Sequence, residues 1–186
     1  MGAPDCSIGV GAPYMKTTEL LDAHEVRYEV LTGAIVIAPP ADQLHQEIQL
    51  DILMQARRVG YPATMDASVS FPGGEDEFRP DVAVYDEHTV LPRAGNRPGE
   101  RVLLAVEVVS PSSRLHDEVA KRELYARLGV PAYLVVQQTG DLWTLHHTPA
   151  GAGYTRLIEG PMGDFVPVPS LPWAVRTWTL DRYMNG

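Results

Sequence analysis

The most constraining stretch of this 186-residue chain is the run VLLAVEVVS, from Val102 to Ser110. A continuous apolar run rich in β-branched residues is typical of a central strand that is buried on both faces. A single charge, Glu107, interrupts the run. Because a buried charge costs several kcal/mol unless it is paired or bound to a metal, Glu107 indicates chemistry rather than packing.

A helix is predicted after this strand, over residues 112–128, where Pro111 ends the strand and a serine can cap the helix. Three polar side chains share one face of that helix at four-residue spacing: Asp117, Lys121 and Tyr125. Lys121 falls inside the apolar stripe, so we expect its ammonium to be directed toward the sheet that carries Glu107. The alternative is a lysine that reaches water along its own stem.

A second acidic residue opens another short strand pattern, RPDVAVYD, over residues 79–86. Asp81 stands at its start, about 26 residues before Glu107, which leaves room for a loop between paired neighbouring strands. Two carboxylates at adjacent strand positions, with a lysine above them, form a site for a hard divalent cation and a polarised water.

The motifs Pro80-Asp81 and Glu107-Val108-Val109 resemble those of the PD-(D/E)XK nuclease superfamily. The longer run VEVVSPSSRLHDEVAKRELYARLGVPAYLVV resembles its Uma-two branch, which is assigned to bacterial restriction endonucleases. The similarity covers roughly residues 26–136. It implies an α/β fold with a restriction-endonuclease-like core, in which a mixed, curved β-sheet is flanked by helices. It also implies a magnesium-dependent endonuclease that acts on nucleic acid, in the first instance DNA.

Within this resemblance, Asp81 and Glu107 are the expected ligands of Mg²⁺ or Mn²⁺, together with the backbone carbonyl of Val108 or Val109. The superfamily pattern normally has lysine where this chain has Val109. Lys121 resembles the migrated replacement, and its expected role is to orient the attacking water and to steady charge on the phosphate.

Four residues are predicted to support the site: Glu29, His45, Asp117 and Tyr125. Glu29 lies in YEVLTGAIVIAPP, which resembles the opening motif of the family, although an exposed strand glutamate is an equally good interpretation. His45 flanks the apolar stripe of a predicted helix that bears a histidine near the cleft in the family, although a structural histidine is the alternative. Asp117 and Tyr125 are expected to fix Lys121.

Composition bounds the function. The formal net charge of −9 argues against strong, field-driven binding of nucleic acid. Two alternatives therefore stay open: a catalytically silent interaction module that keeps the fold as a scaffold, and a metal-dependent hydrolase of another phosphate ester. A cluster of arginine and lysine around the Asp81–Glu107 cleft would distinguish a nuclease from both of these alternatives.

The length is that of one domain, expected over residues 17–186 after a mobile tail at 1–16. The lone Cys6 suits a reducing compartment, and no signal peptide or apolar run near the roughly 20 residues of a membrane span is evident. We expect a cytoplasmic protein without a membrane partner, and a homodimer stays open.

The remaining pattern predicts a short helix at 19–23 and a longer one at 42–58, capped by Asp42. Further strands are predicted at 27–31, 34–38, 61–71, 132–137, 142–147 and 154–158.

Overall fold

A computed structural model describes residues 12–24, 26, 28–31, 34–37, 41–72, 77–109, 117–179 and 182–183. Its helices are α1 (Ala12–Ala23), α2 (Gln43–Arg58) and α3 (Asp117–Arg127), with a 3₁₀ turn at Gly99–Arg101. Its strands are β1 (Tyr28–Leu31), β2 (Ala34–Ile37), β3 (Ala63–Met65), β4 (Val69–Ser70), β5 (Glu77–Phe78), β6 (Val82–Tyr85), β7 (Arg97–Pro98), β8 (Val102–Val109), β9 (Ala132–Gln137), β10 (Leu142–Ala150), β11 (Gly153–Pro161), β12 (Phe165–Val166) and β13 (Val175–Arg176).

The fold is built on a six-stranded mixed sheet with the order β11-β10-β9-β8-β6-β3. Strands β8 and β9 are parallel, and the other neighbours in this sheet are antiparallel. Two adjacent parallel strands need a crossover connection, and the segment that contains α3 supplies it. The predicted central strand is confirmed as β8, which lies between β6 and β9.

The two faces of this sheet carry separate cores, which fixes where Glu107 points. Val106 and Val108 pack in the cluster that contains the buried residues of α2. Ala105 and Val109 pack in the cluster that contains the buried residues of α3. Because side chains alternate along a strand, Glu107 stands on the α3 face.

A smaller sheet, in the order β2-β1-β5-β4-β7, contributes to the α3 side of the molecule. Phe78 of β5 and Val69 of β4 join the core cluster that holds Leu124 and Tyr125 of α3. Glu29 on β1 therefore belongs to the layer that covers the α3 face of the large sheet. A third pair, β12 and β13, is antiparallel.

The strand predicted over residues 61–71 is wrong as a single element. The segment divides into β3, which pairs with β6 in the large sheet, and β4, which pairs with β5 and β7 in the small one. The break follows from Asp66, whose backbone φ of +52° is a left-handed conformation that aspartate tolerates better than most residues. Its backbone N–H donates to the Asp81 carbonyl at 3.2 Å.

The helix boundaries differ from the prediction in two places. Helix α1 begins at Ala12 rather than at residue 19, so it includes residues 12–16, which were assigned to the tail; Pro13 stands in its first turn, where proline is tolerated. Helix α3 is described from Asp117, and the predicted start at residue 112 lies outside the described residues. The cap of α2 is confirmed, since Asp42 Oδ1 accepts the N–H of His45 at 2.8 Å. Among the described residues, no helix is both long and apolar enough to cross a membrane.

Candidate active site

Asp81 lies immediately before β6, at the end of the strand where its pairing with β8 stops. Val82 is opposite Val106 in the antiparallel register, and continuing the register by one residue places Asp81 opposite Glu107. Asp81 Oδ2 accepts the backbone N–H of Val108 at 2.7 Å. Since backbone N–H groups point sideways within a sheet, the carboxylate occupies the plane of the sheet just beyond the end of β6.

The other oxygen of Asp81 faces helix α2. Oδ1 accepts a hydrogen bond from Gln49 Nε2 at 2.9 Å, and His45 Nε2 lies 3.1 Å away. His45 and Gln49 are four residues apart, so they share one helix face. Asp81 is 3% exposed. A buried carboxylate is therefore held from two sides, by β8 and by α2.

Glu107 is held by helix α3. Its Oε2 lies 3.0 Å from Lys121 Nζ, and its Oε1 accepts the hydroxyl of Tyr125 at 3.1 Å. Glu107 and Lys121 are each 6% exposed and Tyr125 is 2% exposed. Lys121 is therefore buried and does not extend into solvent. Its ammonium contacts Glu107, the sheet residue toward which it was predicted to point.

Glu29 completes this buried group from the smaller sheet. Its Oε2 lies 2.8 Å from Lys121 Nζ, and its Oε1 accepts the backbone N–H of Arg79 at 2.8 Å. The residue is 6% exposed, so the alternative of an exposed strand glutamate does not describe it. One ammonium is thus shared by two buried carboxylates from different sheets.

Electrostatics couple these groups. Burial raises the pKa of Glu107 well above its usual value; Lys121 offsets part of this effect, while the charges of Asp81 and Glu29 add to it. Burial alone lowers the pKa of Lys121, but Glu107 and Glu29 outweigh it and the net direction is upward. For Asp81 the burial effect is likewise outweighed, by His45 and the Val108 N–H, so its pKa is lowered.

The described part of the site carries more negative than positive charge. Glu29, Asp81 and Glu107 are buried carboxylates, and Lys121 is a buried cation that pairs with the two glutamates. Burial disfavours such a surplus, and either a proton or a bound cation relieves it. The raised pKa of Glu107 corresponds to the first of these, and a divalent cation bound there would provide the second.

The residues present fit Mg²⁺ or Mn²⁺. Among the described residues, no group of three or more histidine, cysteine, aspartate or glutamate side chains is arranged to hold a metal ion. Mg²⁺, however, is usually bound through one or two carboxylates and keeps several waters, which Asp81 and Glu107 can provide. In addition, the buried Gln49 Oε1 has no hydrogen-bond partner among the described residues, so an acceptor is left at the same place.

Backbone geometry distinguishes the two carbonyls predicted as ligands. The carbonyl of Val109 accepts the N–H of Gln138 at 3.0 Å, on the β9 side of the strand. In an extended strand the N–H and the carbonyl of one residue point the same way. Because the Val108 N–H donates to Asp81, the Val108 carbonyl also faces the Asp81 side. Val108 is therefore the better placed of the two.

Sequence reasoning missed two residues of this site, Gln49 and Asp66. Gln49 Nε2 donates to Asp66 Oδ1 at 3.2 Å as well as to Asp81. A usable signal was the position of Gln49 four residues after His45, beside the apolar stripe of α2. Among the predicted supporting residues, Asp117 begins α3, but its side chain lies outside the described part of the structure.

A cleft of about 320 Å³ lies between α3 and the β10–β11 hairpin. It is lined by Arg122 of α3, Arg156 and Tyr154 of β11, His146 of β10, and Glu123. Two arginines against one glutamate make this a locally basic surface in a chain whose net charge is −9. Arg122 directly follows Lys121, so the helix that supplies the buried lysine also supplies an arginine of the cleft.

The fold, a six-stranded mixed sheet flanked by helices, is that of an α/β protein of the restriction-endonuclease-like class. The Uma2 (Uma-two) family, whose description is "Putative restriction endonuclease", matches residues 15–180. The chain belongs to this family. Among solved structures, a crystal structure of a putative nuclease belonging to DUF820 from Anabaena variabilis ATCC 29413 is similar, with a TM-score of 0.60 and 17% identity over 87% of this chain and 91% of that one. No curated protein matches the chain.

Proposed function

We propose that this protein is a metal-dependent endonuclease that hydrolyses phosphodiester bonds, with DNA as its substrate and Mg²⁺ or Mn²⁺ as its cofactor. One observation carries the proposal: two acidic residues from paired strands, Asp81 and Glu107, are buried together with Lys121 although folding alone would favour apolar residues there. Both the family description and the description of the structural neighbour name nucleases, which supports this proposal.

Each residue has a distinct task in this proposal. Asp81, Glu107 and the Val108 carbonyl hold the cation, which when bound supplies Lewis-acid assistance and lowers the pKa of water. Lys121 is fixed by Glu29 and Glu107, so its ammonium is preorganised to orient the attacking water and to stabilise charge on the phosphate. Because the pKa of Lys121 is raised, it acts as a fixed charge and not as a proton donor.

The supporting residues keep the carboxylates in place. Tyr125 donates its hydroxyl to Glu107 Oε1, and burial raises the pKa of that hydroxyl well above its usual value, so it remains a donor. His45 contacts Asp81 Oδ1 from α2. Such outer contacts typically change metal affinity or activity by about 10- to 100-fold when they are removed.

The cleft of Arg122 and Arg156 supports nucleic acid as the substrate. Arginine pairs well with phosphate, and phosphate contacts supply much of the affinity for nucleic acid. The net charge of −9 supports the competing proposal of a non-catalytic interaction module, because an acidic protein repels a polyanion. Asp81 and Glu107 do not line this cleft, so it is distinct from the basic cluster expected around those carboxylates. It nevertheless gives a protein with a net charge of −9 a local basic surface that can contact phosphate.

The test combines plasmid nicking with calorimetric titration of Mn²⁺. We expect wild-type protein to nick supercoiled plasmid with Mg²⁺ or Mn²⁺, and Asp81→Asn and Glu107→Gln to lose both nicking and Mn²⁺ binding while they remain folded. Glu87→Gln, a matched change at an exposed position, is the control and keeps both properties.

The outcomes distinguish the alternatives. Protein that neither binds Mn²⁺ nor nicks plasmid is an interaction module. Protein that binds Mn²⁺ and hydrolyses bis(p-nitrophenyl) phosphate but leaves plasmid and RNA intact is a hydrolase of another phosphate ester. Nicking at wild-type rate by both site variants contradicts the assignment of Asp81 and Glu107.

A further inference from the structure

Gln49 of α2 is fully buried and is held by two carboxylates. Its Nε2 donates to Asp81 Oδ1 at 2.9 Å and to Asp66 Oδ1 at 3.2 Å. The helix presents this residue one turn after His45, which contacts the same oxygen of Asp81. A neutral amide therefore bridges the carboxyl groups of Asp66 and Asp81.

The orientation of the amide is fixed by this arrangement. Rotating the amide by 180° would bring Gln49 Oε1 against the oxygens of both Asp66 and Asp81, which accept but do not donate when ionised. The nitrogen must therefore face the carboxylates, and the carbonyl oxygen must face away from them.

That carbonyl oxygen is a buried acceptor with no hydrogen-bond partner among the described residues. Leaving such an atom unpaired is unfavourable, and native proteins rarely do so. Gln49 Oε1 and Nε2 share one amide carbon, so Oε1 lies within roughly 5 Å of Asp81 Oδ1. At this distance from a predicted metal ligand, the acceptor is suited to a hydrogen bond from a water molecule bound to the cation.

We infer that Gln49 is a positioning residue of the metal site: its amide nitrogen orients Asp81, and its amide oxygen accepts a hydrogen bond from the hydration shell of a divalent cation held there. The inference rests on the proposed function. It goes further by giving helix α2 a defined role in the site: Gln49 holds both the Asp81 carboxylate and a water molecule bound to the cation. Mg²⁺ suits this arrangement because it usually retains several waters when it is bound.

Asp66 is part of the same device. Its side chain shares the Gln49 donor with Asp81, and its backbone N–H donates to the Asp81 carbonyl at 3.2 Å. The left-handed φ of +52° at Asp66 makes both contacts available from one residue. The turn that ends β3 thus supports Asp81 from the side opposite to β8.

Calorimetric titration with Mn²⁺, together with thermal unfolding in the presence and absence of Mn²⁺, tests the inference. Gln49→Leu removes both the donor and the acceptor, and we expect it to weaken Mn²⁺ binding by about 10- to 100-fold. Gln49→Glu loses the amide donor but keeps an acceptor oxygen, and we expect it to bind Mn²⁺ at least tenfold more tightly than the leucine variant. Gln46→Leu, the same substitution on the exposed side of α2, is the control and binds Mn²⁺ as wild type does.

The thermal measurement distinguishes positioning from a structural role. A structural residue changes the melting temperature of the metal-free protein but leaves the additional shift caused by Mn²⁺ unchanged, because that shift depends on metal affinity. For Gln49→Leu we expect the Mn²⁺-induced shift to be smaller than in wild type. An unchanged Mn²⁺ affinity in Gln49→Leu overturns the inference. Equal weakening in the leucine and glutamate variants overturns the role of the oxygen.

Asp81→Asn separates this inference from the proposed function. If Asp81→Asn loses Mn²⁺ binding while Gln49→Leu keeps it, the proposed metal site stands and the role of Gln49 fails. If wild type and Asp81→Asn give the same titration, the metal site itself fails, and the inference fails with it.

Discussion

Replacing Lys121 with methionine keeps most of the side-chain stem and removes an ammonium that lies 2.8 Å from Glu29 Oε2 and 3.0 Å from Glu107 Oε2. Both carboxylates are buried, so the variant leaves them without a compensating charge. Breaking a buried ion pair by removing one partner typically costs about 3–5 kcal/mol. Because small proteins have about 5–15 kcal/mol of stability in total, Lys121→Met should lose a large part of its free energy of unfolding at pH 7.5.

This loss should depend on pH in a defined direction. Burial already raises the pKa of Glu107, and the charge of Lys121 is the main influence that lowers it. Without Lys121 the pKa of Glu107 in the folded state rises further above its pKa in the unfolded chain. At a pH between these two pKa values, Glu107 is protonated in the folded state and ionised in the unfolded state. Stability is then retained below the unfolded pKa and falls as pH rises through the folded pKa. The deficit of Lys121→Met should be smaller at pH 5 than at pH 7.5.

Urea unfolding followed by tryptophan fluorescence, at pH 5 and pH 7.5, measures both effects. Arg127→Met, on the exposed side of α3, is the matched control and should change the free energy of unfolding by no more than about 0.5 kcal/mol. Adding Glu107→Gln to Lys121→Met should restore part of the stability, since one uncompensated charge is removed. A Lys121→Met protein as stable as the control at pH 7.5 would refute the buried pairing. In plasmid nicking, loss of this preorganised charge should reduce the rate by about 10²–10³-fold.

Three other predictions concern the β10–β11 hairpin. Arg156→Gln should weaken the binding of labelled duplex DNA, measured by fluorescence anisotropy with Ca²⁺ present. The slope of the logarithm of the binding constant against the logarithm of the salt concentration should decrease in magnitude by about 0.9, and an unchanged slope excludes a phosphate contact. Burial, reinforced by a nearby positive charge, lowers the pKa of His146 to about 4, so stability should fall as pH drops from 6.5 to 4, and His146→Phe should lessen that fall in thermal melts. Gly160→Ala should lower the free energy of unfolding by about 1–3 kcal/mol, because a Cβ there would lie 2.5 Å from Trp143 Cζ2, and a wild-type melting temperature would show that the ring can move.

The central strand and its charge could be predicted from the sequence because both signals are local. The apolar run at β8 needs burial on both faces wherever the rest of the chain goes, and Glu107 is conspicuous within it. The position of Lys121 relative to that strand follows from helical geometry alone, since one residue in four returns to the same face. Local signals of this kind also predicted β9 with its observed bounds.

The burial of Glu29 could not be predicted, because it depends on contacts distant in sequence. Strand β1 is four residues long, and its pattern fits an exposed edge as well as a buried one. The buried contacts of Glu29 are with Lys121 of α3 and with the backbone N–H of Arg79, and both residues are far from β1 in the sequence. The division of the 61–71 segment between two sheets depends in turn on one backbone angle at Asp66, which no hydrophobic pattern encodes.

Gln49 was missed for a different reason. An uncharged amide beside an apolar stripe is common on amphipathic helices, and its spacing from His45 indicates a shared helix face but not a buried carboxylate. Only the combination of α2, the Asp66 turn and the start of β6 shows that this amide faces Asp81.

The hydrogen bond from the N–H of Val108 to Asp81 Oδ2 limits which residues of this site can be replaced when catalysis is lost in evolution. At that position a side-chain oxygen takes the place of the backbone carbonyl that a longer β6 would offer, so the ladder of β8 is completed by the acidic residue itself. A descendant that loses catalysis can exchange Glu29, Glu107 and Lys121 together for uncharged residues, because the ammonium of Lys121 is paired with both glutamates. It cannot discard the acceptor at residue 81 without fraying the centre of its main sheet. In silenced homologues we therefore expect aspartate or asparagine to persist at position 81 after the lysine has gone.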